Sequence, residues 1–308
     1  MSLTVLITGC STGIGAAMAQ ELHRRGHQVY ASARRPESLA PLAELGLRTL
    51  ALDVNDDDSI AAAISLITEQ TGRLDMLVNN AGFSQVGAAI DLQREDLRRQ
   101  FETNVISPIA VTRAALPLLR AAVAASDRAT VVNVGSIVGL FTTPFAGAYS
   151  ASKAAVHSLS DALRMELLPF GIRVVMIQPG GVRSAFGDHA EEAIRLPADS
   201  VYLPVEQNIR ARAQAGQQGA TPVDEFISPV LDTLLQDNPP AVIRGGHNSV
   251  RLPLLKKLLP LRRFDAAVSK VFGLDRARLC KSPTESPHTY WCKCAARGRP
   301  FEGRAGEV

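Results

Sequence analysis

The sequence predicts an α/β fold, a doubly wound parallel sheet in a single domain that carries a C-terminal extension. Three observations lead there. Short, nearly continuous apolar runs alternate with longer segments of helical period, as strands covered on both faces by helices require. A glycine-rich turn, Gly9 to Gly15, joins the first apolar run to the first helical segment. The residues best suited to bind or react fall just past the strands, on the carboxyl edge where open α/β sheets take their ligands.

Composition is compatible with this. With 308 residues and 46% hydrophobic content, the chain can bury one large core. Sparse aromatics and abundant alanine, leucine and valine suit helices packed on a parallel sheet. The net charge of +3 is misleading, because residues 276–308 hold seven Lys/Arg against three Asp/Glu, which leaves −1 for residues 1–275. A neutral body gives no argument for nucleic-acid binding. One cysteine, Cys10, lies in the body, so no disulfide framework is expected there and a reducing compartment is. The first strand starts at residue 3 and no apolar run approaches the ~18 residues of a membrane span. The expectation is a cytoplasmic protein with no transmembrane segment.

The elements follow in order. Leu3 to Thr8 reads as a strand buried on both faces. It runs into Gly9-Cys10-Ser11-Thr12-Gly13-Ile14-Gly15, and a helix follows with Ile14, Met18 and Leu22 on one stripe, closed by Gly26. Strand, glycine turn and helix form the Rossmann-like context that a dinucleotide phosphate needs, with close backbone approach and free N–H groups at the helix N-terminus. His27 to Ala33 is the second strand. A carboxylate about 20 residues past the glycines holds the ribose hydroxyl of NAD, whereas arginine accommodates a 2′-phosphate. Ala33 occupies the acidic position and Arg34-Arg35 follow, so NADP is expected in preference to NAD.

Arg48 to Val54 is the third strand, ending at Asp53, and the acids of 56–58 cap a helix over 59–71. Leu74 to Val78 is the fourth strand, followed by Asn79-Asn80-Ala81-Gly82. A helix from about Arg94 carries Asn104, and Pro108 is expected to kink it. Thr130 to Val134 is the fifth strand, with Ser136 just past its end. The sixth strand, Ile172 to Ile177, leads to Pro179-Gly180; residues 184–215 read as irregular, 224–236 as helix and 241–243 as a seventh strand.

Tyr149 and Lys153 lie between the fifth and sixth strands, one helical turn apart on one face. A free phenol titrates near pH ~10. A cation held beside it favours the phenolate and brings the hydroxyl towards a useful range for proton transfer.

In this order and spacing the motifs resemble the short-chain dehydrogenase/reductase family over about residues 3–250. Thr8-Gly9-x-x-x-Gly13-Ile14-Gly15 is similar to the family's cofactor turn, and Asn79-Asn80-Ala81-Gly82 to the segment that steadies the sheet beside the adenine ribose. Asn104, Ser136, Tyr149 and Lys153 match its catalytic tetrad one for one. The resemblance implies that Asp53 and Val54 contact the adenine, and that Pro179, Gly180, Val182 and Ser184 flank the nicotinamide. It further implies that Lys153 holds the ribose hydroxyls and that Asn104 anchors a water relaying protons to Lys153. Tyr149 would then be the general acid or base, and Ser136 would hydrogen-bond the substrate oxygen.

The implied activity is NADP(H)-dependent interconversion of a ketone or aldehyde and an alcohol, and this chemistry needs no metal. Phe83, Phe141, Phe145, Phe186, Tyr202 and Leu203 fall in segments that border the family's substrate cleft. An aromatic wall suits a lipophilic substrate such as a steroid, a retinoid or a xenobiotic carbonyl. Helices near 98–120 and 152–168 resemble those that pair in the family's homodimers and homotetramers. Two departures stand out: Thr12 where many NADP-preferring members carry a second basic residue, and Ser184 where threonine is usual. The alternatives are a dinucleotide-binding regulator with little turnover, or an epimerase or dehydratase on the same fold.

Residues 1–250 are thus expected to form the dinucleotide-binding and catalytic domain, with 184–215 as its substrate loop. Residues 251–275 mix leucines with bases between Pro253 and Pro260 and read as a lid or packing segment rather than a membrane contact. Residues 276–308 read as a poorly ordered tail, whose Cys280, His288, Cys292 and Cys294 match no common zinc spacing.

Overall fold

Seven parallel strands make one sheet: β1 (Thr4–Ile7), β2 (Gln28–Ala33), β3 (Arg48–Ala51), β4 (Met76–Asn79), β5 (Ala129–Val134), β6 (Ile172–Pro179) and β7 (Val242–Gly245). Their spatial order is β3-β2-β1-β4-β5-β6-β7. The structure, a computed structural model, describes residues 2–274 and Leu279; the expected tail and its cysteine and histidine cluster lie outside the described residues. The chain steps outward from β1 to β3, then returns to place β4 against the other side of β1. The crevice opened by that reversal, at the carboxyl ends of β1 and β4, is the switch point where such sheets bind ligands.

Alternation along each strand feeds two cores. Val5 and Ile7 of β1 point to one face, where they meet Met18 and Leu22 of the helix Gly13–Arg24 and Phe226 and Leu231 of the helix Val223–Leu234. Leu6 points to the other face, against Ile60 and Ile67 of the helix Asp57–Thr71 and Ala115 and Leu119 of the helix Ser107–Ser126. Each fully buried leucine or isoleucine contributes about 1.5–3 kcal/mol by leaving water. Two-sided burial explains why these strands read as continuous apolar runs. Asp56 caps the helix Asp57–Thr71 as expected, accepting from the N–H groups of Asp58 and Ser59 at 2.9 and 3.3 Å.

The expectation for residues 184–215 needs correction: they are not irregular throughout. They form the helices Phe186–Glu192 and Glu206–Gln214, joined through the single turn Leu203–Val205. These elements are short and largely polar, and they form because Ala190, Ile194, Val205 and Ile209 pack around Phe145.

Pro108 disturbs its helix without ending it. Pro108 has no N–H for the carbonyl four residues back, that of Asn104. The chain answers with a π turn over Glu102–Ile106 and then resumes as α-helix.

The resulting helix, Arg94–Ser126, spans 33 residues with an 18-residue window of mean hydropathy 1.4, long and apolar enough to cross a membrane by length and composition alone. Here its inner face packs on the sheet through Val111, Ala115, Leu118 and Leu119.

The segment after residue 250 forms two helices, Arg251–Leu258 and Leu261–Val271, and Pro253 is accommodated in the first turn of the former. Phe264 is buried against Ile137 and meets Phe141 edge-on at 6.2 Å. The segment therefore packs on the loop that follows Ser136.

Candidate active site

The glycine turn sits at the switch point and its shape is dictated by close contacts. Gly9 has φ +72°, and a Cβ there would lie 2.7 Å from Cα of Ala81. A Cβ on Gly15 would meet the Gly9 carbonyl oxygen at 2.5 Å. The Asn80 side chain donates to the carbonyls of Thr8 and Gly9, both at 2.9 Å, while the Thr8 hydroxyl accepts from the N–H groups of Asn80 and Ala81 at 3.0 Å. Deeper in the sheet, Asn79 bonds Thr112 and Asn133 at 3.1 and 2.9 Å. The Asn79–Gly82 segment thus clamps the turn from β4.

Ser11 and Thr12 are exposed at the rim of the turn, Ile14 is partly buried, and the helix Gly13–Arg24 begins with no side-chain cap on its N-terminal N–H groups. Arg34 and Arg35 are exposed just past β2, beside the buried Ala33. Asp53 and the buried Val54 follow β3, and Asp53 is steadied by a bond from its own N–H to the Ser59 hydroxyl at 3.0 Å. On the other side, Gly180 and Gly181 are locked to β7 by N–H bonds to Gly245 and His247 at 2.8 and 2.9 Å. Val182 is core, and Ser184 comes within 3.2 Å of where a Gly13 Cβ would stand. Glycines that leave room for phosphate and free helix N–H groups at one crevice fit the pyrophosphate of a nicotinamide dinucleotide.

The four remaining residues converge at the ends of β4 and β5. Ser136 caps the single turn Ile137–Gly139, its hydroxyl accepting from the Val138 N–H at 3.3 Å. Tyr149 and Lys153 lie on the helix Gly147–Leu167, and the Lys153 ammonium is 5.8 Å from the centre of the Tyr149 ring. Lys153 is buried and donates to the Val134 carbonyl at 2.7 Å. Asn104 sits in the π turn, where its amide donates to the Phe83 carbonyl and the Ser152 hydroxyl at 3.0 and 3.1 Å, and its Oδ1 accepts from the Phe83 N–H at 3.1 Å.

Electrostatics depart from expectation at Tyr149. The spacing predicts that Lys153 lowers the phenol's pKa, whereas burial pushes it up to about 12, against the Ser136 side chain and the positive charge of Arg212. Desolvation of a phenolate outweighs both. Burial also brings Lys153 down to about 8. Beneath the Ser136 turn, His157 is held down to about 4, by burial first and then by the charge of Lys153.

The aromatic candidates separate. Phe186 lies 5.7 Å from the Tyr149 ring and Tyr202 meets Phe145 edge-on at 5.8 Å. Phe141 and Phe145 are both buried, the first against Phe264 and the second, with φ +66°, among the substrate-loop helices. Two site residues escaped the sequence reading. Arg212 lies in the stretch taken as irregular, and His157 carries no ligand spacing; only the folding of 184–215 and the packing against Gly135 and Gly139 reveal them.

A glycine turn at the switch point of a doubly wound sheet, with a serine, tyrosine and lysine at the adjoining strand ends, defines a nicotinamide-dinucleotide oxidoreductase. The chain belongs to the short chain dehydrogenase family, whose model matches residues 3–194. It is 40% identical over 220 residues to a short-chain dehydrogenase of Penicillium ochrochloron, covering 70% of this chain and 78% of that one. It is 39% identical over 232 residues to an NADPH-dependent 1-acyldihydroxyacetone phosphate reductase of Schizosaccharomyces pombe, covering 73% of each. Among solved structures, a short-chain dehydrogenase from Streptomyces avermitilis superposes with a TM-score of 0.73 at 30% identity, over 90% of this chain and 98% of that one.

Proposed function

We propose that the chain is an NADPH-dependent reductase of a ketone or aldehyde on a lipophilic small molecule, able to run as an alcohol dehydrogenase in reverse. The observation that carries this reading is the gathering of Tyr149, Lys153 and Ser136 at the end of β5: the Lys153 ammonium lies 5.8 Å from the centre of the Tyr149 ring and donates to Val134, two residues before Ser136. A phenol placed there can give its proton to a carbonyl oxygen.

In this reading the Gly9–Gly15 turn holds the pyrophosphate, Arg34 and Arg35 the 2′-phosphate, and Asp53 and Val54 the adenine. Asn80, Ala81 and Gly82 line the ribose side. Pro179, Gly180, Val182 and Ser184 flank the nicotinamide, and Lys153 reaches the ribose hydroxyls. Bound there, the nicotinamide supplies the hydride for reduction and takes it up for oxidation. Tyr149 gives its proton to the carbonyl oxygen, and the Ser136 hydroxyl hydrogen-bonds the same oxygen as charge builds on it. Lys153, brought down to about 8, is suited to pass a proton back to the phenol at neutral pH, with Asn104 fixing the groove beside it. Phe186 against Tyr149 favours an apolar substrate body. The fission-yeast relative is named for an NADPH-dependent reduction of an acylated ketone, which supports both the cofactor and the lipophilic class.

Homo-oligomerisation is part of the proposal. A groove of about 400 Å³ lined by Val105, Ile106, Ile109, Ala110, Arg113 and Leu159 lies on the outer helices, with Met165, Leu168 and Phe170 exposed further along. Such a face suits a symmetric helix bundle between subunits.

The test is oxidation of NADPH and of NADH, side by side, with steroid, retinoid and xenobiotic carbonyls. Turnover of at least one with NADPH preferred is expected. Tight cofactor binding with no turnover across the panel would replace the enzyme reading with that of a regulator.

A further inference from the structure

Several arginines of the described residues hold no carboxylate, and among them Arg212 is the one whose charge acts on Tyr149. Arg210, two residues away, is paired with Glu206 at 2.8 Å, and Arg24, Arg25, Arg99, Arg128 and Arg164 each hold a carboxylate. Arg212 has no carboxylate within 4.0 Å among the described residues. It projects from the helix Glu206–Gln214, which Ile209 and Ala213 anchor from beneath. Its Nε donates to the Thr143 hydroxyl at 2.6 Å, and its guanidinium carbon lies 5.8 Å from the centre of the Phe272 ring. On the facing helix, Asp188 and Glu191 accept from Gln214 at 2.9 and 2.8 Å and do not reach the guanidinium.

A guanidinium carries five N–H donors in a planar fork. One is used on Thr143, so the two terminal nitrogens keep a free edge. That edge lies on the Tyr149 side of the fold: Thr143 belongs to the loop between Ser136 and Tyr149, and the neighbouring helix, bonded through Gln214 and Asp188, starts at Phe186, 5.7 Å from the Tyr149 ring. The charge of Arg212 accordingly acts on Tyr149. A partly buried cation with no carboxylate partner among the described residues is relieved by an anion of matching shape. Carboxylate and phosphate match it, each able to take two parallel bonds.

We propose that Arg212 is the anion-binding residue of the substrate cleft, so that the substrate joins a lipophilic carbonyl body to a carboxylate or phosphate. This rests on the reductase reading above and narrows it. Thr143 and Phe272 orient the fork, Phe186 and Tyr202 receive the apolar body, and Tyr149 receives the carbonyl. Neutral ketones of the same body then bind without the contact that fixes their direction in the cleft.

The experiment measures binding rather than turnover. Decanoate, decyl phosphate and methyl decanoate are titrated into the NADP⁺-saturated chain, so that the cofactor's own phosphate contacts are filled. The wild type is compared with Arg212→Met and Arg212→Lys, and NADP⁺ affinity reports folding of each variant. At least one anion is expected to bind about 10- to 100-fold more tightly than the ester. That advantage should vanish in Arg212→Met and be partly kept in Arg212→Lys, which retains charge without the fork. The tighter of the two anions identifies carboxylate or phosphate as the natural group.

Equal affinity for acid and ester in the wild type overturns the proposal, as does an advantage that survives Arg212→Met. Should Arg212→Met not fold, the wild-type ratio together with Arg212→Lys decides. Failure of the reductase reading shows separately, as no NADPH oxidation by any carbonyl while the anion preference remains.

Discussion

The Lys153 ammonium donates to the carbonyl oxygen of Val134 at 2.7 Å, a bond that ties the helix Gly147–Leu167 to the last residue of β5. Two residues beyond Val134 the chain presents Ser136, and one turn before Lys153 the helix presents Tyr149. A single buried bond therefore sets the spacing between strand end and helix on which the proposed proton transfer depends.

Gly9→Ala should be damaging in two ways. A side chain at φ +72° is strained, and its Cβ would stand 2.7 Å from the Ala81 Cα, so the turn must move away from Asn80. A loss of about 1–3 kcal/mol is expected, together with weaker cofactor binding. Gly26→Ala is the control, because φ is +83° there but nothing lies within 4 Å. It should cost about 1 kcal/mol and leave the cofactor untouched. Urea unfolding and NADPH titration read both; equal cofactor affinities in the two variants would contradict the clamp.

His157 supplies a pH signature. Its pKa is held at about 4, below its ordinary 6.5, so the fold keeps it neutral. The associated stability is complete above about pH 6.5 and is lost as pH falls towards 4, because the unfolded chain then binds a proton that the folded one resists. The effect is at most about 3 kcal/mol. His157→Gln removes this titration, so its stability should fall less steeply than wild type over that window. Parallel curves would show that His157 is not held neutral.

Much of this arrangement is legible in the sequence, and what is not has a physical reason. β1 is readable because burial on both faces forces an unbroken apolar run, and the glycine turn because Gly9 and Gly15 leave no room for a side chain. Pro108 announces a disturbance near Asn104, but whether the chain kinks or widens into a π turn depends on packing around it. The substrate-loop helices are invisible to periodicity, since they are short and are held by distant residues such as Phe145. Phe141 could line a cleft or fill a core by type alone, and only Phe264, over a hundred residues on, decides for the core. The raised pKa of the Tyr149 phenol is hidden for a similar reason. A neighbouring cation is readable from spacing, whereas the depth of burial that outweighs it is not.

The proposed cofactor preference rests on the exposed Arg34 and the buried Ala33 at the end of β2. Loss of a charged hydrogen-bonded contact typically costs about 1.5–3 kcal/mol, or roughly 10- to 150-fold in affinity. Arg34→Ala should weaken NADPH by about that factor and leave NADH nearly unchanged. Ala33→Asp should invert the preference by repelling the phosphate and accepting the ribose hydroxyl. Dissociation constants for both cofactors test this, and a wild type that prefers NADH would contradict it.

The central claim is that Tyr149 is the proton donor, and Tyr149→Phe tests it most directly because only the hydroxyl is removed. The measurement is kcat/KM for NADPH-dependent reduction of the best carbonyl substrate, taken beside the NADPH dissociation constant. The predicted result is a fall of about 10²- to 10⁴-fold in kcat/KM, with NADPH still bound. A variant that retained more than about a tenth of the wild-type rate would contradict the account.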